Sequence, residues 1–173
     1  MSSTEGIPIL LSLLGLLSGL SIPSELQYAE TSLDDPIVKV FVVYRPLESL
    51  STIFPILAAI LSHSGLLLRT DTGGHYLLEY ANDGKAHLKE VEYTINEKTT
   101  EGCRRLGYES IKMCGYSWEK QLEGRRPPPG KTPNIAKREM QKLMPFGFDI
   151  TEGEMRHTAQ RRLRDAWGIL KDD

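Results

Sequence analysis

Cysteine is scarce in this chain: Cys103 and Cys114 are the two in 173 residues. Two thiols do not make the multi-bridge framework that staples small secreted domains. They fit a reducing, intracellular compartment, or one of them is chemically used. The four histidines, His63, His75, His87 and His157, show neither an i, i+4 pair nor a His-x-His pair, so no zinc or other metal site is expected. There is no Walker-type phosphate loop, no GxSxG elbow and no dinucleotide fingerprint, and nothing calls for a cofactor. The run "TDTGG" resembles a phosphate loop, but it sits between two strand-like runs and reads as a turn. Charge of one sign is lacking too. The net charge of −2 asks for neither nucleic acid nor an acidic membrane. Residues 1–100 carry 6 Lys+Arg against 12 Asp+Glu, and the remainder 15 against 11, a mild basic bias read as solvated helix faces. No internal repeat or low-complexity tract occurs.

What is present suits one domain with an appendage. Residues 7–22, "IPILLSLLGLLSGLSI", run for 16 residues without a charge. That is short of the roughly 20 apolar residues a spanning helix needs. A secretory signal would open with positive charge, whereas this chain opens "MSSTEG". Small residues at Ser12, Gly15, Ser18 and Gly19 give a leucine-rich helix one thin side, for a helix docked on the domain or a partner, or for membrane contact. We divide the chain into an apolar helix over 1–23, a linker over 24–36 and a single α+β domain over 37–173.

Within the domain, the β-branched run "IVKVFVVYRP" reads as a buried strand ended by Pro46. "LESLSTIFPILAAILSH" has helical content interrupted near Pro55. "SGLLLRT", "HYLLEYA" and "HLKEVEYTIN", separated by "DTGG" and "NDGK", make an antiparallel meander. The run from Glu101 to Gly124 is ambiguous, and we read it as a short strand or loop followed by an irregular helix. "RRPPPGKTP" is an exposed loop. A helix then starts with Thr132 as N-cap and Pro133 at its first position. A last helix starts near Thr151, burying Met155, Ala159, Leu163, Ala166, Trp167 and Leu170. The expected architecture is an antiparallel sheet of four to five strands packed on the C-terminal helices, with the apolar N-terminal helix added.

His63 and Glu79 stand out chemically. They lie sixteen residues apart, an even separation that puts both on one sheet face when the hairpin loop has an odd number of residues. A carboxylate beside an imidazole fixes its tautomer and raises its basicity, as a general base requires. The plain alternative has His63 capping a strand start and Glu79 solvated.

The stretch "SHSGLLL…GGHYLLEYA" resembles the histidine hairpin of the circularly permuted papain-like proteins, a group that includes the NlpC-like, lecithin:retinol acyltransferase-like and PPPDE-like enzymes. Ser64 and Gly65 follow His63, Leu66 to Leu68 form the strand, and "YLLEYA" places Glu79 at the second polar position, after a turn several residues longer than usual. The likeness covers about twenty residues and is of moderate specificity. It implies a nucleophilic cysteine downstream, at the start of a helix, where the dipole favours thiolate. The matching run here is "FDITEGEMRHTAQRRL". Phe148, Asp149 and Ile150 form its lead-in, His157 takes the place of the motif's histidine, and the cysteine position falls on Met155, or on Arg156 one residue on. Neither can be a thiol nucleophile.

Two readings follow. In the first, the chain is a degenerate member, a binding or interaction protein without thiol catalysis. Its pocket lies between His63, Glu79, Tyr80, His157 and the last helix, and its partner is a protein or a small acyl or peptide ligand. In the second, Cys114 is the nucleophile of a hydrolase or acyltransferase acting on an amide or thioester, with His63 as base and Glu79 as its orienter. Cys114 precedes a run with Trp118 and Leu122 on one side of a helix; as a small buried hydrophobe it would be inert. Cys103, between Gly102 and two arginines, lacks any helix-start context.

Overall fold

A computed structural model describes residues 32–45, 63–144 and 155–170. The expected helices over 7–22 and 47–62, and the lead-in Phe148 to Ile150, lie outside the described residues. The elements are β1 (Ile37–Arg45), β2 (His63–Thr70), β3 (His75–Tyr80), β4 (Ala86–Glu90), β5 (Tyr93–Ile95), α1 (Glu97–Arg104), β6 (Tyr108–Met113), β7 (Tyr116–Gln121), α2 (Pro133–Leu143) and α3 (Met155–Ala166). All strand pairs are antiparallel, in the order β4-β3-β2-β1-β7-β6-β5. The class is α+β as expected, but the sheet has seven strands rather than four or five.

The edge strands of that sheet, β4 and β5, are separated in sequence by Val91 and Glu92 alone. Three Cα steps reach at most about 11 Å, so the two edges must come close and the sheet must curl. Curling gives it an inner face. Phe41, Val43, Leu67, Leu77, Val91, Ile111, Met113 and Trp118 pack there, with Tyr93 against them. Val40, Val42, Leu66, Leu68, Tyr76, Leu78 and Tyr80 point the other way, onto α2 and α3. The continuous apolar run of β2 has this cause, since a strand covered on both faces needs no polar alternation. Burying Leu66, Leu67, Leu68 and Leu78 stabilises the fold by about 2 kcal/mol each.

The largest departure from expectation is residues 97–121. They form α1 and then the β6–β7 hairpin, not a strand followed by a helix. Ile111 and Met113 on β6, and Trp118 and Lys120 on β7, face inward at strand period. Cys114 (φ 53°) and Gly115 (φ 79°) make a two-residue left-handed turn, the twist that hairpins prefer. Cys114 is therefore a turn residue and precedes no helix.

Other expectations fit the structure. Thr132 Oγ1 accepts from the Ile135 amide at 3.3 Å, with Pro133 next to it. Helix α3 buries Ala159, Leu163 and then Trp167, while Ala166 is exposed. Glu139 on α2 ties the helices down by accepting from Trp167 Nε1 and, at 2.7 Å, from Lys131 Nζ. Residues 32–36, assigned to the linker, are fastened to the domain. Asp35 accepts from Thr72 Oγ1 at 2.7 Å, and Asp34 from Asn134 Nδ2 at 2.9 Å.

Two contacts seal the curl. Lys120 Nζ sits 2.8 Å from Glu109 Oε2, with side chains 9% and 10% exposed, and 5.0 Å from the centre of the Tyr93 ring. His75 on β3 meets that same ring edge-on at 5.2 Å. Burial, and then the charges of Arg69 and Lys120, hold the His75 imidazole below its ordinary value. The unfolded chain thus takes up this proton more readily than the folded one. The associated stability is complete above about pH 6.5 and is lost as pH falls below it. We expect the urea midpoint to decline from pH 6.5 towards 5, and His75→Phe, which keeps a ring against Tyr93, to flatten that decline. An equal decline in the variant would remove His75 as its source.

Candidate functional site

The ladder puts His63 and Glu79 on one face. Leu66 pairs with Leu78 and Leu67 with Leu77, so Glu79 lies across from Gly65, two residues from His63 on the same side of β2. His63 Nε2 and Glu79 Oε1 are 2.5 Å apart, with side chains 15% and 26% exposed. Gly65 makes this possible. A Cβ at position 65 would stand 3.0 Å from Leu78 O and 3.1 Å from Glu79 Cγ, so the carboxylate arm crosses β2 where no side chain obstructs it. The glycine after the histidine thus has a steric reason.

The surroundings of the pair differ from expectation. His63 and Glu79 share the inner face with Leu67 and Leu77, whereas Tyr80 and His157 belong to the outer side. The expected pocket joining all four to the last helix is not formed, because the sheet lies between. Tyr80 is a core residue, its hydroxyl donating to Gly84 O at 2.8 Å and Met144 O at 3.4 Å. Met155 is the first residue of α3; its side chain and that of Arg156 lie outside the described residues.

The neighbours of His63 are Arg45, directly across on β1, and Trp118, whose ring centre is 6.1 Å from the imidazole. Neither was legible as a site residue, since they converge only through the β2-β1-β7 strand order. Cys114 is two strands away and beyond Tyr116. Sheet spacings put it roughly 10 Å across and about 10 Å along from His63, well outside the hydrogen-bond reach a nucleophile and its base require. Cys114 is an exposed free thiol. Burial, followed by the nearby Glu119 charge, pushes the Cys103 thiol up, which opposes reactivity.

On the outer face, the very next residue makes a second polar contact. Ser64 Oγ and His157 Nδ1 are 2.9 Å apart, and Tyr44 packs against the His157 ring at 5.8 Å. Ser64 is buried, so this pair fastens the start of α3 to β2. Beside it runs a groove of about 1020 Å³ between α3 and strands β1, β6 and β7. Tyr108, Arg125, His157, Gln160, Arg161 and Arg164 line it, and Leu106, 76% exposed, stands at its rim. Among the described residues no three of His, Cys, Asp and Glu are grouped to hold a metal ion, and no helix is long and apolar enough to cross a membrane.

Comparison of the chain with protein-family models, curated proteins and solved structures finds no match.

We expect Gly65→Ala to destabilise the protein by about 1–3 kcal/mol, because Leu78 O is backbone and cannot swing away. The His63–Glu79 contact should loosen with it. The check is a urea midpoint together with the His63 ring resonances; an unchanged midpoint and unchanged ring shifts would dismiss the steric account.

Proposed function

We propose that the chain is a binding protein without thiol catalysis, its last helix packed away from the histidine that a permuted papain-like site would pair with it. One observation carries the reading: the His63–Glu79 pair is on the inner face, and α3, where the resemblance places the nucleophile, packs on the outer one. A helix-borne group is screened from the imidazole by the sheet, and Cys114 is held in a turn away from it. The outer groove then supplies the binding surface. Its volume, about 1020 Å³, is at the upper end of small-molecule pockets and suits a peptide or acyl-peptide segment. Exposed Arg161 offers a hydrogen-bond fork, and Leu106 and Leu122 offer apolar contact at the rim.

Thiol chemistry separates this from the hydrolase reading. The folded protein is titrated with an electrophilic thiol probe across pH, and mass spectrometry assigns the labelled cysteine. His63→Ala should leave the pH profile of Cys114 labelling unaltered, and Cys103 should label only at higher pH than a free thiol. A Cys114 profile that moves upward in His63→Ala would establish a thiol–imidazole pair and overturn the proposal.

Binding is tested with a displayed peptide library selected on the full chain. Enriched peptides should lose at least about tenfold in affinity for the double variant Arg161→Glu, Leu106→Asp, the loss of a central contact being worth more than 1.4 kcal/mol. Peptides that bind wild type and variant alike would remove the groove from the reading.

A further inference from the structure

The inner-face end of the sheet holds an arginine whose chemistry is unfinished. Arg45 is the last residue of β1, and its guanidinium Cζ lies 4.1 Å from the centre of the Tyr116 ring and 5.3 Å from that of Trp118. Both rings lie close against the guanidinium. Its Nε is buried without a hydrogen-bond partner. The contrast with Lys120 is direct. Lys120, two residues along β7 from Trp118, is stacked on aromatic rings too, but Glu109 neutralises it. On the inner face the carboxylate of β3, Glu79, is engaged by His63.

A buried charged donor left without an acceptor is unfavourable, and proteins seldom keep one without a reason. A guanidinium held in place over two aromatic rings is pre-organised for a planar two-oxygen acceptor. Little side-chain entropy remains to be lost, and the N–H fork matches a carboxylate in plane. Stacking on Trp118 and Tyr116 also lowers local hydration, which strengthens the pair. Directly across the strands stands His63, whose Nε2 is taken by Glu79, which leaves Nδ1 without a hydrogen-bond partner among the described residues. Access is at the Nη end: Nε is buried, but Arg45 as a whole is partly exposed and Tyr116 is 41% exposed.

We propose that Arg45, seated on Tyr116 and Trp118 beside His63, forms a binding site for a carboxylate, separate from the outer groove. The ligand places its two oxygens against the Nη end of the Arg45 guanidinium and its body along the Tyr116 ring. Nothing in this site requires a nucleophile or a metal, and it stands whether or not the groove binds peptide.

Nuclear magnetic resonance tests the proposal on the full chain, reading the Arg45 Nε–H and the Trp118 indole N–H, which donates to Met113 O at 3.1 Å. N-acetylalanine is the probe, its neutral amide the control, and inorganic phosphate the tetrahedral comparison. Saturable shifts of both resonances with N-acetylalanine are the expected result, and in Arg45→Lys the Trp118 indole N–H should report binding at least about tenfold weaker. Arg45→Lys keeps the charge and loses the fork. Tyr116→Ala, at an exposed turn-flanking position, should weaken binding about threefold and serves if the lysine variant does not fold. No saturable shift, a response to the amide, an equal response to phosphate, or equal affinity in folded Arg45→Lys would each overturn the assignment.

Discussion

The two-residue connection between β4 and β5 is the constraint from which the rest of the architecture follows. These strands are the two edges of a seven-stranded sheet, so Val91 and Glu92 can join them only if the sheet rolls up. Rolling creates an interior lined by one residue in two from most strands, and it leaves a single outer face for the helices to cover. It also removes much of the exposed edge that an open sheet would offer to aggregation. Tyr93 sits where the roll closes, contacting His75 from one side of the seam and Lys120 from the other. The buried Lys120–Glu109 pair is tolerated there because each charge satisfies the other. Removing one partner would strand the other at a cost of several kcal/mol.

The same roll explains why chemistry-bearing residues are divided. Along β2, His63 and Ser64 are neighbours, yet one reaches Glu79 inside the curl and the other reaches His157 on α3 outside it. A strand sends successive side chains to opposite faces. Once both faces are covered, two adjacent polar residues therefore belong to unrelated environments. The inner face combines an imidazole, a carboxylate and an arginine on aromatic rings; the outer one combines arginines, tyrosine and exposed leucine around a groove. Among the described residues neither face brings a thiol to the imidazole.

Much of the fold was legible from local patterns. The meander β2-β3-β4 was marked by its turns, Thr132 and Pro133 marked the start of α2, and Ala159, Leu163 and Trp167 marked the buried side of α3. The β6–β7 hairpin was not. Residues 108–121 mix charged, aromatic and apolar side chains on both faces, and a Cys-Gly turn is a weak signal beside Asn-Gly. Missing that hairpin made Cys114 look like a helix-start cysteine. Half of the candidate site was legible too. His63 and Glu79 follow from an even spacing across a turn, whereas Arg45, Tyr116 and Trp118 come from strands distant in sequence.

By itself the amino-acid sequence determined the local elements and their parity: which segments extend, where glycine and proline turn the chain, and that His63 and Glu79 share a face. These are short-range consequences of backbone sterics and of the two-residue strand period. The tertiary structure alone decided which face that was, that the last helix covers the opposite one, and that an arginine from β1 comes to rest on two rings of β7. Those outcomes depend on strand order and on the direction of curl. They are set by how the whole apolar surface is buried at once, and no window of neighbouring residues contains that information.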